Sequence, residues 1–506
     1  MKNIYCRSLL LGTLGSLQLF QLSGMNYYVS LQGKDDQAGT IEMPFRTLEK
    51  GIGLAVPGDT VFVRSGTYPT TETVRIQKSG TAESYCTLMA YPGERALLDC
   101  SGQAQGTRGM TLSGSYWTIA GFDIFGAGDN GLMIAGGNRN RILNCAFIGN
   151  RDSGLQMGQG ASYNQVINCD SYLNADPPDY GDADGFAAKL DVGVENYYFG
   201  CRAWKNCDDG WDGYLRGTDN ASTIIENCWA FENGYLEDGS DPGPQANGNG
   251  FKMGGSDDKT LSHDFTLEHC LAFKNKSRGF DQNSNTGSMI LYNCTGHGNL
   301  KGNYVINKEL AAGKVLILKN CAVLGTVGNI ATWAVQDHNS WTLGIDVSEA
   351  DFISVADNAA YGPRKEDGSL PDIAYLHLAE GSALIDAGVD VGLPYLGNAP
   401  DLGCFESDFD GPIGVAPEEN TPAGILCYPN PASDRLTLVF SSGYRGEITV
   451  EILDPVGRVL SHSTHGKMQG YSMTLALNLP PIPAGFYFCR IRVGDQIAGT
   501  QKLQVR

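Results

Sequence analysis

The chain has 506 residues, with 56 acidic against 36 basic side chains and a formal net charge of −20. That balance excludes a nucleic-acid-binding role and counts against any polyanionic ligand unless cations or a local basic patch intervene. With 42% hydrophobic residues, 18% charged residues and 66 glycines, the chain reads as globular and turn-rich, and it is too long for one ordinary core.

Residues 1–24 read as a signal peptide. Lys2 and Arg7 precede a mostly apolar run from Leu9 to Phe20, and the small residues Ser23 and Gly24 follow. The run is too short to span a bilayer, and no later segment is long and apolar enough to do so. Export is therefore expected, and 14 cysteines in an exported chain invite a disulfide reading. Opening strands are expected over 27–30, over 60–64 after the turn Pro57-Gly58-Asp59, and over 117–125, with another beginning at Gly131.

A repeat then dominates the chain. Cys145, Cys169, Cys201, Cys228, Cys270, Cys294 and Cys321 each follow an apolar residue by three positions. In all but the last coil, Asn stands five positions after the cysteine (Asn150, Asn174, Asn206, Asn233, Asn275, Asn299). The shortest spacings are 24 to 27 residues, the size of one supersecondary unit that buries its apolar side only by stacking. Short β-rich segments and Gly/Asn turns predict an all-β chain, a right-handed parallel β-helix over 25–408 that ends near Phe405. The cysteines then form an inward column of packing thiols and the asparagines a turn column, although stacked cysteines also lie within disulfide reach. Residues 409–424 read as an acidic, Pro/Gly-rich linker. Residues 425–506 alternate like the strands of a small C-terminal β-sandwich.

Each coil also carries a Gly followed by a large apolar residue: Gly154-Leu155, Gly185-Phe186, Gly210-Trp211, Gly250-Phe251 and Gly279-Phe280. The Cys-to-Gly spacing is nine residues in three coils, 16 after Cys169 and 22 after Cys228, so two coils carry insertions at the same turn. Strand alternation turns the apolar residue inward and the next one outward, giving an outward row of Gln156, Ala187, Asp212, Lys252 and Asp281. The position before Gly supplies Ser153, Asp184, Asp209, Asn249 and Arg278. The fourth after it supplies Lys189, Tyr214 and Asn283. Asp184, Asp208, Asp209 and Asp212 thus converge beside Lys252. Such carboxylates repel without a cation, and an all-oxygen set suits Ca²⁺. Zinc is disfavoured, since none of the seven histidines falls in the strip. A solvated acidic face and a lysine lying over a sheet surface are the competing readings. Against them stands the coincidence of register with the two insertions.

The segments DADGFAAK, CDDGWD, GNGFKMGG and RGFDQN, with YYVS and PGDTVFVRSGTY near the start, resemble polysaccharide lyase family 9, whose members are mainly pectate lyases. The resemblance spans about residues 25–408. It implies a four-aspartate calcium site at Asp184, Asp208, Asp209 and Asp212, and a proton-abstracting Lys252. Arg278, Lys189, Asn249, Tyr214 and Asp281 are the expected substrate-side residues. The implied chemistry is β-elimination on a uronate polymer, pectate first and rhamnogalacturonan second. The C-terminal segments YPNPASDRLTL and LPPIPAGFYFCRIRV resemble the type IX secretion sorting domain, which implies a partner in that machinery and a secreted or cell-surface monomer; Cys427 and Cys489 could pair there. Two rivals stand beside this reading: a β-helix glycoside hydrolase built on Asp208-Asp209-Gly210 and Gly296-His297-Gly298, and a glycan-binding surface protein without catalysis.

Overall fold

The computed structural model describes residues 24–407 and most of 425–505. All but the last residue of the expected signal peptide, and the expected linker, lie outside the described residues. From Asn26 onward the chain winds through three long parallel sheets. A 12-stranded back sheet runs from Asn26–Val29 to Val335–Asp337. A 10-stranded side sheet runs from Gly66–Pro69 to Ala322–Leu324, and a 10-stranded site sheet from Val74–Ile76 to Gly328–Ile330. Each full coil visits back, side and site sheets in that order. A short helix, Leu48–Leu54, lies against the first strands, with Thr47 capping its N-terminus. The sequence pattern does not foresee it, because seven residues give too little periodicity.

The repeat residues explain the winding. The residue before each ladder cysteine bends the chain from back to side sheet in a left-handed conformation, as at Asn144, Asn168, Asn227, Asn293 and Asn320 with φ of 50–57°. Asn tolerates that region better than other side-chain-bearing residues. The seven cysteines that follow are buried free thiols, so the column packs rather than cross-links; Cys145 N–H even points at Cys169 Sγ at 3.4 Å. Cys489 in the C-terminal part is also a buried free thiol, and the Cys427 side chain lies outside the described residues.

The asparagine column is continuous at the side-to-site corner. Asn174 Nδ2 donates to Asn206 Oδ1 at 2.8 Å, Asn206 to Asn233 at 2.9 Å, Asn233 to Asn275 at 3.0 Å and Asn275 to Asn299 at 2.8 Å. This column dictates the adjoining glycines. A Cβ on Gly210 would lie 2.6 Å from the Gly250 carbonyl oxygen and 2.8 Å from the Asn233 amide. Beneath the site sheet the inward rings of Phe186, Trp211, Phe251, Phe280 and Tyr304 stack with centroids 4.8–5.3 Å apart, a stiff floor for the outward residues.

The coils end at Asp337, earlier than the expected Phe405. Residues 338–407 contain only two 3₁₀ turns and fold back as a strap over the outer face of the side sheet. The reason is an outward-facing apolar column there. Tyr172, Trp204, Phe231 and Phe273 stack outward, and Phe352, Leu370, Ile373, Tyr375, Leu378 and Leu402 cover them. Arg364 ties the strap down through Asp170 at 2.7 Å, and Arg202 donates to Ala360 and Gly362 carbonyls at 2.9 Å. The C-terminal residues form antiparallel sheets of three and four strands around a shared apolar core.

One buried acidic pair lies far from the site sheet. Glu226 and Glu268 are register partners on neighbouring back-sheet strands, and Tyr197 donates to Glu226 Oε2 at 2.6 Å while Oε1 has no partner. Burial, then the Glu268 charge, pushes Glu226 up to about 8 from its ordinary 4.5. A raised carboxyl stabilises the fold below its unfolded value, and that contribution is lost as pH rises toward 8. Glu226→Gln is therefore expected to leave melting at pH 4 unchanged and to raise stability at pH 9 by on the order of 3 kcal/mol. Parallel melting curves at both pH values would refute this.

Candidate active site

The register of the site sheet is the one the Gly marks predict. Ala187 pairs with Asp212, Asp212 with Lys252, Lys252 with Asp281, and Asp281 with Val305. All five project from the outer face, above the aromatic floor. Lys252 retains 8% exposure, and its Nζ lies 3.0 Å from Asp209 Oδ2 and 3.3 Å from Asp212 Oδ1.

Asp184, Asp208 and Asp209 each place a carboxylate oxygen within 4.8 Å of the others, all buried. The surrounding chain holds them in position. Ser153 Oγ donates to Asp184 Oδ2 at 3.0 Å, and the Asp209 N–H to Asp184 Oδ1 at 3.2 Å. Asn249 donates to Asp209 Oδ1 from N at 2.7 Å and Nδ2 at 2.8 Å. Asn247, in the second insertion, donates to both oxygens of Asp208. Asp209 Oδ2 is buried and accepts no well-aligned hydrogen bond, although the Lys252 ammonium lies close by. Asp212 is turned differently. Its oxygens face Lys252 at 3.3 Å and Lys189 at 3.7 Å, and Oδ1 accepts the Tyr214 N–H at 3.0 Å.

Burial pushes the Asp184 carboxyl up to about 8, with Lys189 at 2.7 Å only partly offsetting it. Burial and then Asp209 push Asp208 well above the carboxylate range, and burial also raises Asp209 against the pull of Lys252. Asp212 goes the other way: burial is outweighed by Lys252, Lys189 and the Tyr214 N–H, which hold it down. Burial lowers the Lys252 amine, but Asp209, Asp212, Asp208 and Asp184 together raise it well above the ordinary lysine value. The pocket thus holds more carboxyls than its two lysines can keep ionised. Its all-oxygen, partly unsatisfied donor set fits a hard divalent cation.

The other expected residues lie around this nest. Lys189 is committed to Asp184 and to the Asp182 carbonyl at 3.1 Å. Asp281, one rung from Lys252, is taken by Arg278 Nη1 at 2.7 Å rather than by the lysine. Tyr214 places its ring 5.6 Å from Lys252 Nζ and donates its hydroxyl to Asp257 Oδ1 at 2.7 Å. The two insertions meet above the site-sheet corner, where Gly181 lies against Gln245, and Lys276 Nζ pins the second one through the carbonyls of Gly243 and Ala246 at 3.0 and 3.3 Å. Asn247 and Lys276 went unnoticed in the sequence: the first lies in a loop without repeat, and the second reads as one more surface lysine. Ser153 stood just before its Gly mark without an assigned task. His297 lies at the end of a side-sheet strand, bonded to Tyr375 Oη at 2.7 Å, on a different sheet from Asp208 and Asp209. That separation removes the hydrolase arrangement.

A right-handed parallel β-helix with an acidic nest and an embedded amine on one sheet is the scaffold of a polysaccharide-cleaving enzyme. The Pel9A-like, right-handed β-helix region matches residues 27–319, and a secretion system C-terminal sorting domain matches residues 426–506. Pectate lyase L of Dickeya chrysanthemi is 37% identical over 397 residues, covering 75% of this chain and 90% of that protein. The crystal structure of pectate lyase Pel9A superposes with a TM-score of 0.70 at 33% identity, covering 76% of this chain and 96% of that one. A rhamnogalacturonan lyase follows at 0.62 and 27% identity, covering 71% and 97%. The chain belongs to the Pel9A-like family, polysaccharide lyase family 9, and is a pectate lyase-like polysaccharide lyase. Its sorting domain directs it through the type IX secretion system to the cell surface or beyond. Among the described residues no helix is long and apolar enough to cross a membrane.

Proposed function

We propose that the chain cleaves polygalacturonate by β-elimination, with Lys252 as the base and Asp184, Asp208, Asp209 and Asp212 as the calcium-holding acids. The observation that carries this reading is the Lys252 amine lodged 3.0–3.3 Å from Asp209 and Asp212, beside a buried nest of three carboxylates, on one outward-facing strip. Elimination removes the C5 proton of a uronate and expels the sugar linked through O4. A bound calcium ion would neutralise the uronate carboxylate and the enolate-like charge that develops on it.

The chain's residues do the rest. Asp209 and Asp212 hold the proton on Lys252; once their charge is committed to a cation, that hold weakens and Nζ is left as a neutral amine able to accept the C5 proton. Asn247, Asn249 and Ser153 keep the acids aimed inward while this happens. Lys189 balances Asp184 and Asp212, and Arg278, with one donor on Asp281, faces the groove as a further cation for substrate. The aromatic floor prevents the strip from sagging toward the core. Mature localisation at the surface or in the medium brings the site to polymer that cannot enter the cell.

Unsaturated uronide gives ultraviolet absorbance that hydrolysis does not. Purified protein incubated with polygalacturonate, rhamnogalacturonan and other uronides, with calcium or a chelator, is expected to give that absorbance on polygalacturonate only with calcium. Absorbance confined to rhamnogalacturonan moves the substrate assignment and keeps the chemistry. Calcium-independent cleavage overturns the metal assignment.

A further inference from the structure

On the rim of the groove opposite the insertions, Arg216 has an environment built for an anion that the acidic nest does not account for. Its backbone is anchored: Arg216 N donates to the Leu190 carbonyl at 2.7 Å, and the adjoining Leu215, fully buried, forms bridges to Leu190 and Ser256. Asp257 follows Ser256 directly, so the same bridge fixes both members of the pair. Asp257 Oδ2 accepts from Arg216 Nε at 3.0 Å and Oδ1 from the Tyr214 hydroxyl at 2.7 Å. Both Asp257 oxygens are thereby used, and Nη1 and Nη2 of Arg216 make no hydrogen bond among the described residues. The Arg216 side chain is 62% exposed. It sits 5.4 Å from the centroid of the Tyr214 ring, and the Lys252 amine lies 5.6 Å from that same centroid.

A guanidinium clamped through Nε presents its two terminal nitrogens as a fork, the geometry that receives a carboxylate through two parallel hydrogen bonds. This cation stands one aromatic ring from the reactive amine. A polyuronate laid across Lys252 carries a carboxylate on every sugar, and only one of them can occupy the nest.

We propose that Arg216, held by Asp257, binds the carboxylate of a uronate neighbouring the one that is cleaved, so that a methyl ester on that neighbouring sugar removes the contact. The proposal rests on the lyase reading above. Arg216 touches no reacting atom, so it acts on substrate affinity.

The test compares wild type, Arg216→Gln, Arg216→Lys and Lys259→Gln on polygalacturonate and on highly methyl-esterified pectin. Lys259 is an exposed lysine on the same rim and controls for general loss of positive charge. Arg216→Gln is expected to raise KM on polygalacturonate about tenfold with kcat within about twofold, the size of one charge-assisted hydrogen-bonded pair. Arg216→Lys should recover part of the loss, Lys259→Gln should do little, and the esterified polymer should show no Arg216 effect. An unchanged KM, an equal shift on esterified pectin, or an equal shift with Lys259→Gln overturns the proposal. Calorimetric titration of tetragalacturonate into Lys252→Ala and into Lys252→Ala/Arg216→Gln separates this from the lyase reading. Equal affinities reject the Arg216 subsite even in a protein that cleaves nothing. A wild type giving no unsaturated product, with the affinity difference intact, rejects the reaction and keeps the subsite.

Discussion

Lys252→Ala is expected to lower kcat on polygalacturonate by about 10³-fold while the protein stays folded. No other group in the strip can take over. Lys189 is committed to Asp184 at 2.7 Å, and Arg278 cannot lose a proton. His263 sits close by in the chain's path, but it is fully buried, both ring nitrogens are bonded at 2.9 Å, to Thr223 and Gly213, and burial pulls it down to about 4. Lys252→Arg sharpens the test. It preserves the positive charge that Asp209 and Asp212 face, yet it cannot supply a neutral base at any working pH. Equal inactivity of Ala and Arg variants, with melting temperatures near wild type, is the expected pattern. An active Arg variant would assign position 252 a purely electrostatic task. The readout is the initial rate of unsaturated-product absorbance.

The second large effect has opposite signs with and without calcium. Asp208 is buried, and both burial and Asp209 oppose its ionisation. Without metal, Asp208→Asn removes a poorly tolerated acid, and the variant is expected to melt higher than wild type in chelator. With metal, the variant lacks a ligand. Calcium affinity measured by calorimetry should fall at least about 100-fold, and the calcium-induced rise in melting temperature should largely vanish. Activity at low calcium should be lost. A variant melting lower than wild type in chelator, with its calcium affinity intact, would place the ion elsewhere.

The strip was legible because it is written in spacing. A Gly followed by a large apolar residue in each coil, with strand alternation, was enough to put Asp212, Lys252 and Asp281 in one outward row, and the paired strands have that register. The cysteine and asparagine columns were legible for the same reason, since a stacked repeat makes equal sequence positions into spatial neighbours. What failed to show was anything decided by rotamers or by non-repeating segments. Asp281 was expected on the substrate side, one rung from Lys252, but its oxygen goes to Arg278, three residues back in its own coil. Asn247 reaches Asp208 from a loop whose path no periodicity encodes. The strap over 338–407 was absorbed into the β-helix because its apolar residues resemble those of a coil; they cover the aromatic column outside the side sheet instead. Its ion pair with Asp170 joins positions 194 residues apart in the sequence.

That strap changes what kind of object the solenoid is. A free stack of coils touches only its neighbours, so rungs can in principle be gained, lost or melted one at a time. Here a single belt is buckled at the middle of the stack by Arg364 at Asp170 and Cys169, and toward its C-terminal end by the bonds from Asn293 to Asp401 and from Asn320 to Val389. Removing a coil between those buckles leaves the belt one rung too long, and adding one leaves it one rung too short. The coils bearing Asp184, Asp209 and Lys252 all lie inside that span, so the part of the molecule that does chemistry is also the part whose rung number is fixed.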